Sequence, residues 1–396
     1  MPPPPSDLAG HWAIDPEVTY LNHGAYGACP REVMAFQSEL RARMEWNEMK
    51  FFLHDLEGLL DHARERLAAF LRADPEELVF VDNATTGVNT VLRSLLFEPG
   101  DELLTTDHAY NACANALRAV AERSGAKVVV ARVPFPLGGP EEVTEAVLAA
   151  LTPRTRLVLL DHVTSPTGII FPLETLVPRI QDSGVDVLVD GAHAPGMIPL
   201  DLRALRAAYY SGNCHKWLCS PKGAAFLQVR RDRQSRIRPL TISHGANSRR
   251  TDRSRLRLEF DWVGTQDHTA VLSIPRALDL VGGLVPGGWP EVRARNSALA
   301  CKARAILCEA LGVPPPCPES MLGALATVPL PEAEDAPISV LESDPLQLEL
   351  RDRYRIEIPI FAWPAAPRRW IRVSPHLHNS ETQYHYLAEA LRKLLG

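Results

Sequence analysis

The chain lacks a CxxC pair, any apolar run of about 18 residues or more, and a basic-then-apolar leader at its start. Each absence removes a class of protein. The seven cysteines are scattered, an odd count that fits a reducing interior and not a disulfide framework, so they read as small core residues. Without a long apolar run there is no candidate membrane span, and Met1-Pro-Pro-Pro-Pro-Ser6 reads as a flexible proline-rich tip. The expected location is cytoplasmic. Excess positive charge is lacking as well: a formal net charge of −6 with 23% charged residues gives no reason to expect a nucleic-acid partner.

What is present is length and apolar content. With 396 residues, 46% of them hydrophobic, the chain buries a large core and folds without staples. Apolar, β-rich runs alternate with helical patterns, the signature of an α/β fold with an open, mainly parallel sheet covered by helices on both faces. The runs are 78–82, 102–105, 127–131, 156–160, 185–190, 208–211 and 224–229, which predicts seven strands. Ligands of such sheets collect outside the carboxyl ends of the strands, so the polar groups after each run are expected in one crevice. Beyond about residue 275 the pattern changes to a long helix-prone stretch, the proline-rich 313–318, short strands and a final helix. The expected organisation is an N-terminal arm over 1–25, a large domain over 26–275 and a smaller α+β domain over 276–396. No internal repeat is visible.

The most informative stretch is Ser211-Gly-Asn-Cys-His-Lys-Trp-Leu218, with Asp190-Gly-Ala-His193 upstream: a lysine after one strand and an acid at the end of the strand before it. Pyridoxal 5'-phosphate (PLP) chemistry needs both, an amine to form a Schiff base with the cofactor aldehyde and a carboxylate to hold the proton of the pyridine nitrogen. An unpaired carboxylate at Asp190 is costly at the end of an apolar strand, and a cationic ring relieves that cost. Asn83-Ala-Thr-Thr-Gly87 opens a helix, whose free N–H groups with the Thr85 and Thr86 hydroxyls suit a phosphate; simple N-capping is the plain alternative. Asn213 and His215 are further phosphate candidates. Tyr110 can lie against a planar ring, His193 can stack over one, and Ser165 and Thr167 can reach a ring substituent, although core packing or a proline turn would also place them there.

Read together, Asn22-His-Gly-Ala-Tyr-Gly27, Asn83-Ala-Thr-Thr-Gly87, His162-Val-Thr-Ser-Pro-Thr-Gly168, Asp190-Gly-Ala-His-Ala-Pro195, Gly212-Asn-Cys-His-Lys-Trp217, Gly264-Thr-Gln-Asp267 and Arg372-Val-Ser-Pro-His376 resemble the class V aminotransferase family. Within it they are most similar to the isopenicillin N epimerase-like group. The resemblance runs in family order over nearly the whole chain. It implies fold type I and a homodimer with active sites at the subunit interface. It makes Lys216 the Schiff-base lysine, Asp190 the pyridinium partner, His193 the stacking residue and Ser165 a neighbour of the ring hydroxyl. Thr85, Thr86, Asn213 and His215 become phosphate contacts, Thr265 a phosphate contact of the neighbouring subunit's site, and Arg372 the clamp on a substrate carboxylate, a task that suits a bidentate guanidinium. Relatives commonly carry Asn-Pro followed by an apolar and a basic residue where this chain has Asn47-Glu-Met-Lys50, next to an unusual Trp46. That segment bears on the substrate and not on the cofactor.

The implied mechanism has an amino-acid substrate displace Lys216, whose freed amine becomes the base at Cα. Elimination from a cysteine S-conjugate needs only Lys216 and a leaving group, and it is the favoured outcome. Epimerisation needs a second acid, for which His23, Tyr26 and His244 are candidates. Decarboxylation-coupled oxidative deamination and transamination are further exits. Desulfuration is disfavoured, because the only late cysteine, Cys317, sits between Pro316 and Pro318. Arg249 to Arg257 packs five arginines into nine residues. Diluted by Asp252 and Glu259 and without interleaved aromatics, it reads as a solvated loop near the dimer contact, with recognition of an anionic substrate group second. Retention of Lys216, Asp190 and Arg372 argues against a non-catalytic binding protein. His376 and His378 share a strand face, but no third ligand with metal spacing is visible, so no metal is expected.

Overall fold

The computed structural model describes residues 3–334 and 342–396. Seven strands form one sheet: β1 (Leu78–Val81), β2 (Glu102–Thr106), β3 (Lys127–Ala131), β4 (Thr155–Asp161), β5 (Asp186–Asp190), β6 (Tyr209–Asn213) and β7 (Ala225–Val229). Their order is β1-β7-β6-β5-β4-β2-β3, with β7 antiparallel to both its neighbours and the other pairs parallel. The central strands are apolar without alternation because helices cover both faces: Val158, Leu160, Val187, Leu188 and Val189 are all fully buried. Truncating one of them, as in Leu160→Ala, removes about 2–5 kcal/mol of stability. All seven sequence-predicted strands are present, within two residues at each end.

Two helices, α1 (Arg31–Trp46) and α2 (Leu56–Leu71), precede the sheet. The helix α3 (Ala84–Ser94) follows β1 directly, started by Asn83, whose side chain accepts the Thr86 N–H. The C-terminal lobe is a three-stranded antiparallel sheet, β8 (Ala326–Leu330), β9 (Ile360–Ala362) and β10 (Arg369–Val373), with β10 in the middle, packed on the helix α4 (Gly288–Leu311), which packs in turn on α5 (Glu381–Leu395). The boundary expected after residue 275 falls in the first turn of a helix, Ile274–Gly283, that packs on both α1 and α2. Among the described residues no single helix is long and apolar enough to cross a membrane.

The N-terminal arm joins the two lobes. Thr19 and Tyr20 pair with Ile356 and Glu357, and Asn22 bridges to Ser374. The arm then presses on the backbone that carries Lys216: Gly27 has a φ of +70°, and a Cβ there would lie 2.0 Å from the His215 carbonyl oxygen and 2.7 Å from the Lys216 Cα. The proline-rich tip corrects one expectation. Met1 and Pro2 lie outside the described residues, but from Pro4 the tip is docked: the Pro4 carbonyl accepts the Ser380 hydroxyl at 2.6 Å and the Ser6 N–H donates to the His378 carbonyl at 3.1 Å. Backbone groups satisfied on a neighbouring helix start hold a segment that composition alone would leave loose.

Candidate active site

Parallel strands in register deliver their last residues to one edge. Asp161 at the end of β4 is the register partner of Asp190 at the end of β5, which in turn faces Ser211 on β6. Beyond β6 the chain turns through Cys214 and His215 to Lys216. A cavity of about 500 Å³ opens above these ends, and Lys216, Asp190, His193, Tyr110, Ser165 and Thr85 are among the residues that line it. Ten of the sequence-predicted site residues line it directly, these six together with Thr86, Asn213, His215 and Tyr26.

The lysine amine lies 3.1 Å from His193 Nε2. Burial pulls that amine down to about 8, the Arg372 guanidinium pushes the same way, and Asp190 opposes. Burial also holds His193 well below the usual imidazole range, with Lys216 and Arg372 adding to the effect. Asp190 is tied down at both oxygens: Oδ1 accepts the Ala192 N–H at 3.0 Å and Oδ2 accepts the Cys113 thiol at 3.0 Å. Asp161 accepts the Tyr110 N–H at 3.3 Å. Burial pushes the Asp161 carboxyl well above its ordinary value, and the Asp190 charge pushes it the same way. Sequence reading gave Asp161 and Cys113 no role. For Asp161 the signal was available, an acid closing an apolar strand as at Asp190; for Cys113, on a helix, none was.

At the other end of the cavity the first turn of α3 is capped from two sides. The Ala84 N–H donates to Asn213 Oδ1 at 2.8 Å, and the Thr86 N–H donates to Asn83 Oδ1 at 2.8 Å. The Thr86 hydroxyl also turns to Asn83 Oδ1, at 3.2 Å. The capping reading is therefore present in full, and Asn213 orders the helix start through its oxygen. What remains open for an anion among the described residues is the Thr85 N–H at the positive end of the helix. His215 gives its Nδ1 proton to the Ala224 carbonyl at 3.2 Å, and burial lowers it to about 4, so its other nitrogen faces the cavity as a lone pair.

Arg372, on β10, reaches Ser165 at the rim through its carbonyl and, at 3.2 Å, its hydroxyl. Its Nε has no partner among the described residues, and burial lowers the guanidinium to about 10. Arg372 is not itself among the residues that line the cavity, but an unpaired buried guanidinium N–H is a donor free to meet an acceptor. Thr167 does not reach the cavity: its hydroxyl is held by His108 at 2.8 Å and Thr164 at 2.7 Å, which corrects its expected part.

Three other expectations are rearranged by the fold. His23 is fully buried behind Lys216, 3.2 Å from the Lys216 carbonyl through Nε2, and is not available as a second acid. His244 is exposed and lines no part of the cavity in this chain; Thr265 is exposed and away from it too, which leaves its expected part in the neighbouring subunit's site as it stood. Four of the five arginines between 249 and 257 are paired with acids, Arg250 with Glu57, Arg253 with Asp61, Arg255 with Glu259 and Arg257 with Glu76, so the run is an ion-paired brace on α2 and its surroundings, and none of the five lines this chain's cavity.

The third donor missing beside His376 and His378 is also supplied by tertiary structure. Cys219 Sγ lies 3.6 Å from His376 Nε2 and 3.8 Å from His23 Nε2. The His23 lone pair is nevertheless committed, while His376 Nδ1 has no partner among the described residues. His23 Nδ1 accepts from Ala28 N–H and lies 3.1 Å from His378 Nε2, so its proton is on Nε2 and goes to the Lys216 carbonyl. The cluster is a hydrogen-bonded wall.

The parts fit PLP on their own geometry: an amine for its aldehyde, an acid for its ring nitrogen, an open N–H at a helix start for its phosphate, an aromatic ring at Tyr110, and a cavity large enough for cofactor and substrate together. A model of the aminotransferase class-V family matches residues 19–307. Over 397 residues the chain is 38% identical to an isopenicillin N epimerase of Amycolatopsis lactamdurans, covering 96% of each. Over 408 residues it is 30% identical to a probable chloroplastic L-cysteine desulfhydrase of Arabidopsis thaliana, covering 96% of this chain and 84% of that one. Among solved structures, the cystine C–S lyase C-DES shares its fold with a TM-score of 0.76 at 24% identity, covering 95% of this chain and 97% of that one. The cysteine desulfurase CsdA of Escherichia coli does so with a TM-score of 0.79 at 20% identity, covering 98% and 97%. Fold and site thus define a PLP-dependent enzyme of fold type I. The chain belongs to the aminotransferase class-V family.

Proposed function

We propose that the enzyme removes the α-proton of an amino-acid substrate with Lys216 as the base, and that the substrate is a cysteine S-conjugate whose C–S bond then breaks. PLP, when bound, supplies the electron sink that makes a Cα–H acidic. The chain's own residues do the rest. Asp190, fixed at both oxygens, holds a proton on the ring nitrogen; the α3 start and Thr85 take the phosphate; Arg372, steadied by Ser165, takes the substrate carboxylate.

The observation that carries the choice of reaction is where the proton-handling groups stand. Lys216 and His193 form one pair at the cavity, while two of the three groups considered as a second acid, His23 and His244, lie outside it. Elimination needs a base and a leaving group; epimerisation needs an acid on the other face of Cα as well. The likeness to a protein named as an L-cysteine desulfhydrase supports this reading. Epimerisation is the second reading, favoured by the likeness to the isopenicillin N epimerase and by Tyr26, which lines the cavity and is 74% exposed at its mouth.

A homodimer with shared sites is part of the proposal. It is supported by Thr265, exposed and away from this chain's cavity, and by the apolar side chains of Trp46, Met49, Leu53 and Ile242, each more than half exposed. The deciding experiment is incubation of the PLP-loaded enzyme in deuterated water with a panel of cysteine S-conjugates and ordinary amino acids. Pyruvate released together with a thiol is the expected result. Deuterium entering Cα of recovered substrate with no pyruvate would overturn elimination in favour of epimerisation.

A further inference from the structure

We propose that Trp217 is a positioning residue: its indole fixes the proton of His193 on Nε2, and that proton holds Lys216 as a free amine. An indole N–H only donates, and Trp217 Nε1 lies 3.4 Å from His193 Nδ1. His193 Nδ1 is therefore the acceptor, and the neutral ring carries its hydrogen on Nε2. Nε2 in turn lies 3.1 Å from Lys216 Nζ. An N–H at that position meets the lone pair of an amine and faces the hydrogens of an ammonium, so the pair is bonded only when Lys216 is neutral. Double protonation of His193 would break the indole contact. The downward shift of the lysine by burial and by Arg372 acts in the same direction.

The indole has little freedom to turn away. Trp217 is fully buried, with the His23 ring 5.2 Å and the His376 ring 6.2 Å from it between centroids. Gly196, at a φ of +88°, packs directly on its backbone, where a Cβ would come within 2.7 Å of the Trp217 carbonyl carbon. The wall behind Lys216 thus decides the protonation state in front of it. A free amine is the form that would condense with an aldehyde carbon: a C=N bond would replace the C=O bond, the two amine hydrogens would leave with the oxygen as water, and no third proton would have to be shed first. The inference rests on Lys216 being the lysine that binds PLP.

The test uses full-length protein labelled with ¹⁵N-histidine, stripped of PLP and then reloaded. In nitrogen-detected spectra of the stripped protein, the His193 signals, identified by their loss in His193→Gln, are expected to show a bare Nδ1 and a protonated Nε2 across the neutral range. Trp217→Phe keeps a buried ring and removes the donor. In that variant the proton is expected to spread to Nδ1, and the pH midpoint for the rate of reloading, read from the visible band of lysine-bound PLP, is expected to rise by about one unit, making reloading at neutral pH roughly tenfold slower. A merely structural role for Trp217 would lower the amount of band and the thermal stability and leave the midpoint in place. A wild-type His193 with its proton on Nδ1, or a Trp217→Phe midpoint equal to wild type, overturns the proposal. If the variant does not fold, the wild-type spectra decide alone. A wild type that gives no visible band at all contradicts the PLP assignment and leaves the tautomer measurement standing.

Discussion

In front of Lys216, His193, Asp161 and Tyr110 face a cavity; behind it, His23, His376, His378 and Cys219 turn their polar atoms on one another and on the lysine's own backbone. Both regions are rich in histidine and both are buried. They differ in what their hydrogen bonds are used for. The front keeps donors and acceptors for a ligand, at the cost of burying a carboxyl that is pushed up and an amine that is pulled down from their ordinary values. The back turns most of its bonds inward, His376 Nδ1 excepted, and serves as a support, with burial pulling the imidazoles down and pushing the Cys219 thiol up. A buried histidine is thus informative about chemistry only when the far side of its ring is known.

The largest expected effect tests the front. Lys216→Ala should abolish the visible band of bound PLP and reduce turnover by at least about 10⁴-fold, since the residue is both the covalent anchor and the base. A variant with the band intact would remove Lys216 from its assigned place. Next is Arg372→Ala, expected to weaken substrate binding or turnover by about 100-fold or more through loss of a charge-assisted pair, with Arg372→Lys recovering only part. An unchanged kcat/KM for amino-acid substrates would show that the carboxylate is held elsewhere.

The back is tested by acid. His376 is lowered by burial to about 3, below the ordinary value near 6.5 that it regains on unfolding. A group whose folded value is depressed in this way binds a proton more readily when unfolded, so its contribution is complete above about pH 6.5 and is lost as pH falls towards 4. Chemical unfolding followed from pH 7 to pH 4 should show stability falling by about 1.4 kcal/mol per pH unit for each such histidine. A flat profile over that window would mean that these rings are charged in the fold. The smallest effect is expected from His378→Phe, which keeps a ring in the wall and removes its contact with His23. A loss of about 1–2 kcal/mol with PLP binding retained would mark the wall as support; loss of the visible band at full stability would place it in the active site.

Much of this was legible in the sequence, for physical reasons that differ by element. The seven strands could be read because both faces of the sheet are buried, leaving unbroken apolar runs such as 185–190 between turns. Lys216 and Asp190 could be read because the chemistry demands that pair of groups and a parallel sheet brings adjacent strand ends together. Asp161 carries the same local signal as Asp190, but nothing in its neighbours named a partner for it. His23 was misplaced because a histidine near a site motif looks the same from either side of the backbone. The docked tip at Pro4 to Ser6 was not legible either, since its partners, Leu377, His378 and Ser380, lie more than 370 residues away in the chain.

The sequence by itself determined the α/β sheet, the cofactor chemistry and the lysine–acid pair, because these follow from periodicity and from residue type at strand ends. Only the tertiary structure decided which histidines face the cavity, which acid burial pushes up and which nitrogen of His193 carries hydrogen. Those properties depend on burial and on the donor opposite each atom, and both are set by segments far apart in the chain.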